Sequence, residues 1–222
     1  MTNSRSAFSR ACLASLLCCA GLLGAAPAAR AQVYGLCGEL SSAGQFGPYD
    51  YRTIDPETKH KVEDYHFPPK VEALREGNAS TIGGDIDYTL RAFQNNPRAL
   101  LAMSRLGVKL KTERPTGVHF PVECYFDRAI RFTPDDPMPR LLYARYLKDR
   151  KRNAAEVQKQ LDEAERLRGD PSSFDLDYNL GMLYFEVGAY DKSVEAAKRA
   201  YALGAPLPAL AQKLKAAGKW RE

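Results

Sequence analysis

The chain has 222 residues, with 32 Lys and Arg against 27 Asp and Glu, and a formal net charge of +5. That is enough chain for one domain with a continuous core. No basic run is interleaved with aromatics, which excludes the electrostatic footprint of a nucleic-acid binder; the longest basic cluster, Lys148–Arg152, reads as a solvated helix end.

Residues 1–31 carry the features of a secretory signal: Arg5 and Arg10, an uncharged apolar run from Ala11 to Ala26, and Ala29-Arg30-Ala31 as a small-x-small cleavage site. The run falls short of the roughly 20 residues that span a bilayer, which disfavours a retained anchor. Cleavage near Ala31 leaves a mature chain with no transmembrane segment, periplasmic or secreted. Lipidation at Cys18 or Cys19 is the alternative, although Leu16-Leu17 precede them instead of a small residue. Removing Arg5, Arg10 and Arg30 leaves 29 basic against 27 acidic side chains, nearly neutral. It also leaves two cysteines, Cys37 and Cys124. In an exported protein they are expected to form one disulfide, two unpaired thiols being the alternative.

Residues 32–84 are expected to form a loop-rich arm with one short helix. Gly47-Pro48 and Asp55-Pro56 are turn or extended signals, and no apolar period is sustained. Phe46, Tyr49, Tyr51, Tyr65 and Phe67 should tie the arm down; disorder is the alternative. Pro68-Pro69 open a helical stretch, Lys70–Glu76, stopped by Gly77. Gly83-Gly84 read as a turn, with Asp85 or Asp87 capping a helix that runs to about Asn95.

From residue 85 onward a period appears. Pro97, Pro134, Pro171 and Pro208 are each 37 residues apart, as are Gly107, Ala144, Gly181 and Gly218. Leu110, Leu147 and Tyr184 follow the first three small residues by three positions. Ala92, Ala129, Ala164 and Ala200 mark second helices. Proline punctuates the loops, a small residue lets paired helices approach, and apolar residues one turn away fill the interface. The predicted fold is all-α: a short alpha-solenoid of about three helix pairs over 99–132, 138–168 and 176–206, with a capping helix at 208–219.

The residues Leu180-Gly181, Tyr184, Gly188, Tyr190, Ala200 and Pro206 resemble the tetratricopeptide repeat (TPR), and the resemblance extends over about 92–219. The usual period of that family is about 34 residues, so helix register departs from it. The resemblance implies that the first helix of each pair lines an inner groove for an extended peptide. Carried over, it exposes Ser104, Val108 and Lys111, then Leu141, Arg145 and Lys148, then Tyr178, Asn179, Met182 and Phe185. Arg145 and Lys148 would hold a carboxylate; Met182 and Phe185 would take an apolar anchor. Tyr178, Met182 and Phe185 could instead pack on the terminal helix or the arm.

No metal-ligand spacing, nucleophile elbow, HExxH or phosphate loop occurs, so no cofactor or metal is expected. His60, His66 and His119 read as loop residues with no partner at a ligand or triad spacing. The sequence therefore points to a non-enzymatic exported scaffold that binds a protein or peptide and supports assembly of an envelope complex. An enzyme or small-ligand site between the arm and the solenoid is the alternative.

Overall fold

The structure is a computed structural model that describes residues 37–41, 45–169 and 172–220. The signal-like segment, with Cys18 and Cys19, and Pro171 lie outside the described residues. Within them the chain forms ten helices and no strand, the all-α class expected.

The segment expected to be loop-rich carries more helix than the sequence suggests. Helix α1 spans Pro56–His66 and α2 spans Pro69–Glu72, so there are two helices where one was expected. α1 shows no apolar period because Val62 is its one buried residue. Its start is chemical: the Asp55 carboxylate accepts from the Thr58 N–H at 2.8 Å, and Pro56 supplies a preset φ at the first helical position. The Asp-Pro pair read as a turn is thus a helix start. Tyr49 and Tyr51 do tie this segment down, with rings 6.5 and 5.7 Å from Phe93. Tyr65, by contrast, is 67% exposed and contributes through its carbonyl, which accepts from the Asn78 amide at 2.9 Å.

Helix α3 spans Ile82–Ala92, and Thr81 caps it by accepting from the Gly84 N–H at 3.1 Å. Gly83-Gly84 is therefore the first turn of a helix, not a turn before one. Asp85 and Asp87 lie inside the helix as buried groups and do not cap it. A Cβ on Gly83 would sit 2.4 Å from the Thr116 carbonyl oxygen, so the bare backbone there lets the 111–121 loop lie against α3.

The remaining helices match the periodic segments: α4 (Pro97–Leu110), α5 (Val122–Phe132), α6 (Pro137–Asp149), α7 (Ala154–Leu167), α8 (Phe174–Glu186), α9 (Tyr190–Ala202) and α10 (Ala209–Ala216). Asn96 caps α4 before Pro97, and Asp136 caps α6 before Pro137, each accepting from backbone N–H groups of the first turn. Pro134 of the periodic series sits three residues ahead of the proline that opens α6.

α6 packs on α7 and α8 on α9, joined by connections short enough to set each pair side by side. α4 lies against α6, α6 against α8, and α10 against α8 and α9, while α1 and α2 pack on α3. Gly107 and Gly181 sit at close approaches. A Cβ on Gly107 would meet Val122 Cγ2 at 2.9 Å, and one on Gly181 would meet Leu210 Cδ2 at 2.6 Å. Ala144 is fully buried at the matching place in α6.

Cys37 and Cys124 form a disulfide that ties the N-terminal segment to α5. Beside it the Arg128 guanidinium, 2% exposed, donates to the Cys37, Glu39 and Leu40 carbonyls at 2.9, 2.5 and 3.0 Å. Arg131 adds a bond to the Gly38 carbonyl at 3.0 Å.

Candidate functional site

α4, α6 and α8 are the first helices of the three periodic units, and the groove residues lie on or beside them. Arg145 and Lys148 do hold a carboxylate, but it is the chain's own: Lys148 Nζ lies 2.5 Å and Arg145 Nη1 3.8 Å from Glu186 Oε2. Burial would lower the Lys148 ammonium; Glu186 and Asp149 outweigh it, and its pKa lies above the usual lysine value.

The apolar end of the groove is covered. Tyr178 is buried with Leu210 and Leu214 of α10, and Met182 and Phe185 pack against that same cluster. Lys213 sits 5.7 Å over the Phe185 ring. The terminal helix thus occupies the surface that Tyr178, Met182 and Phe185 were expected to offer. Asn179 is half-buried, and its amide donates to the Asp175 carbonyl at 2.8 Å. Ser104 and Leu141 belong to the core, at 3% and 2% exposure, not to an inner surface. Lys111 is exposed at the end of α4, in the left-handed conformation at φ 53°. Arg145, Lys148 and Asn179 therefore share one face, and Tyr178, Met182 and Phe185 are withdrawn from it.

The second cluster is one that residue spacing does not reveal. The histidines were read as unpartnered, and each has a carboxylate partner. His60 lies on α1, 4.0 Å from Asp64. His66 stacks on Tyr88 with ring centroids 3.9 Å apart, and its Nδ1 lies 3.1 Å from Asp85 Oδ1. Asp85 is fully buried and also accepts from the Asn78 N–H at 2.6 Å. His119 Nδ1 lies 2.7 Å from Asp87 Oδ2, which also accepts from Arg91 Nε at 2.9 Å. Asp87 Oδ1 accepts from the Tyr125 hydroxyl and from the His119 N–H. Burial, with the Asp87 charge next, raises the Tyr125 pKa well above the usual phenol value, so this hydroxyl donates at all ordinary pH.

With the carboxylate as acceptor, His119 Nδ1 is the donor of this bond. Arg91, His119 and Phe120 line a cleft of about 290 Å³ with Arg128, Gln45 and Glu39. Burial, reinforced by the Arg131 charge, lowers the Arg128 pKa below the usual guanidinium value. Chemically the cleft can orient an imidazole and present cationic donors. Mechanically, the same bonds fasten two loops to α3.

Among the described residues no group of three His, Cys, Asp or Glu side chains is placed to hold a metal ion, and no helix is long and apolar enough to cross a membrane. Compared with family models, with curated proteins and with solved structures, the chain matches none.

Proposed function

We propose that the chain is an exported, non-enzymatic scaffold of TPR type, periplasmic or secreted, that binds a protein or peptide and supports assembly of an envelope complex. The observation that carries this reading is the lateral order of α4, α6 and α8. Three first helices stand side by side, with Gly107, Ala144 and Gly181 at matching places, so three successive units contribute to one face. Such repeat faces serve extended partners. The Cys37–Cys124 disulfide supports export, because disulfides persist in oxidising compartments. The test is a photo-cross-linking amino acid placed at Arg145 or Asn179 on this face, or at exposed Glu195 on α9 as control. One discrete adduct from the first two positions and none from Glu195 is expected. Adducts from all three, or from none, count against the reading.

A second reading, a small-ligand site between the N-terminal segment and the helices, is supported by the cleft beside His119. Titration calorimetry with orthophosphate and with succinate checks it. Saturable binding that Arg91→Gln abolishes favours this reading, and the absence of heat opposes it.

A further inference from the structure

We propose that the slot between α2, the start of α3 and the C-terminal end of α4 is the docking site for an acidic segment of a partner protein carrying a large aliphatic side chain. This inference rests on the scaffold reading and adds the chemistry of the partner. Two recesses meet there. One, of about 170 Å³, is lined chiefly by Leu74, Ile82, Leu106, Leu110 and Pro115. The other, of about 280 Å³, lies beside Arg105, Val108 and Asp149. They share Leu74 and Lys109 as a common wall.

The slot is apolar and open. Leu110 is 53% exposed, the most exposed large aliphatic side chain among the described residues. Covering it and the walls beside it with a partner's aliphatic group removes apolar surface from water. The rim fixes the sign of the partner. Arg105 and Lys109, which line the slot, make no ion pair with any described carboxylate. Lys109 donates to the Leu74 carbonyl at 3.4 Å, and Arg105 acts on Glu72 only through its charge. Asp149, the one carboxylate lining the slot, is held by Lys148 at 3.2 Å. An apolar recess lined by two cations that form no ion pair with a described carboxylate is complementary to an acidic segment with an aliphatic anchor. A recess that takes one side chain fits a peptide better than a flat lipid surface.

The test uses the oxidised full-length mature chain and a fluorescein-labelled peptide alternating glutamate and leucine, with lysine replacing glutamate in the control. Saturable anisotropy change with the acidic peptide alone is expected, weakened by salt and reduced about tenfold or more by Leu110→Glu and by Lys109→Glu. Both positions are exposed, and unchanged thermal melts show that the variants are folded. Equal binding of the lysine peptide, or indifference to both substitutions, overturns the proposal. So does cosedimentation with phosphatidylglycerol vesicles that Lys109→Glu abolishes, which makes the occupant a membrane. Self-association that Leu110→Glu abolishes likewise makes it a second copy. If the Arg145 cross-link forms while the acidic peptide fails to bind, the slot falls and the scaffold stands; if the cross-link is absent, the scaffold reading itself falls.

Discussion

Lys148 of α6 donates to Glu186 of α8 at 2.5 Å, so the cation expected to receive a ligand carboxylate already has one. Both side chains are partly exposed, at 31% and 24%. An ion pair of this kind contributes at most about 1 kcal/mol, so a ligand carboxylate can exchange with it at small cost.

Glu186→Gln therefore separates binding from stability. Urea unfolding is expected to shift by less than about 1 kcal/mol. Binding of carboxylate-bearing peptides to the α6–α8 face is expected to tighten, because Arg145 and Lys148 lose their internal partner. Unchanged or weaker binding would show that this pair ties two helices together and nothing more.

Asp87 and His119 sit at opposite ends of the exposure scale, at 1% and 62% for their side chains, although they are bonded to one another. Asp87→Ala strips Tyr125, Arg91 and the His119 backbone of their shared acceptor in a buried place. It is expected to cost about 3 kcal/mol or more. His119→Ala removes one exposed donor and is expected to cost about 1 kcal/mol or less. Chemical denaturation of the two variants checks the order. Equal losses would indicate that the imidazole itself organises the cleft.

Asp50 supplies a pH signature. Arg52 is the main cause that lowers its pKa, from 3.8 to about 2; burial opposes it, and the Asn95 amide adds a weaker lowering. Because the folded value is depressed, the group's stabilisation is complete above pH 3.8 and is lost as pH falls toward 2. Solvent screening keeps this to on the order of 1 kcal/mol. Asp136, which shares Asn95 with Asp50, is shifted the other way by burial, so its ionisation opposes folding above its raised pKa. Asp50→Asn should be less stable than wild type near neutral pH, and the gap should narrow between pH 4 and 2 in urea titrations. A gap that stays constant with pH would locate the effect in uncharged contacts.

Much of the helical plan was legible because it is repeated. Pro97 opens α4, and Gly107 and its counterpart Ala144 are buried in the helices they mark, causes that are local. The third member of the set divides: Leu147 fills the core, while Leu110, expected to do the same, is 53% exposed. α1 was not legible, because with Val62 alone buried it has no stripe to read, and its Asp55-Pro56 start is also a turn signal. The partnerships of His66 and His119, unlike the i,i+4 pair His60–Asp64, were out of reach for a different reason. His66 and Asp85 are 19 residues apart, and His119 and Asp87 are 32 apart; tertiary packing joins them, not spacing along one helix. The cover from α10 over Tyr178, Met182 and Phe185 is the alternative that the sequence also offered, whereas the Glu186 countercharge cannot be read from one repeat in isolation.

The Cys37–Cys124 bond closes a loop across 87 residues, for which the chain-entropy estimate is about 4–5 kcal/mol. Reduction with dithiothreitol is expected to lower the unfolding midpoint substantially, and Cys37→Ser with Cys124→Ser should reproduce the loss without reductant. Arg128 makes a second contribution, because releasing residues 37–40 leaves its buried guanidinium without three carbonyl acceptors. Indifference of the midpoint to reduction would mean that the helices hold the segment without the bond.

The glycines rank differently by repetition and by packing. Gly181 belongs to the periodic series and Gly83 does not, yet packing makes Gly83 the harder position to change. A Cβ on Gly181 meets first the Cδ2 of Leu210, the end of a flexible side chain that can rotate, and its next contacts, Ala197 N and the Ser193 carbonyl, stand at 3.4 Å. Replacing a mid-helix glycine by alanine also gains up to about 1 kcal/mol of helix propensity. The two effects nearly offset, so Gly181→Ala is expected to change stability by no more than about 1 kcal/mol. A Cβ on Gly83 meets the backbone oxygen of Thr116 at 2.4 Å, and the Val118 and Pro115 side chains at 3.3 and 3.4 Å stand behind it. That loop cannot retreat freely, because His119 is bonded through its backbone and ring to Asp87, and the Thr81 hydroxyl donates to that same Thr116 oxygen at 2.9 Å. Gly83→Ala is therefore expected to cost about 2 kcal/mol or more and to disturb the His119 cleft together with the apolar slot. Urea denaturation of the two variants, with acidic-peptide binding measured alongside, checks the ranking. A Gly181→Ala loss exceeding that of Gly83→Ala would show that the α8–α10 crossing is tighter in its response than its side-chain contact implies.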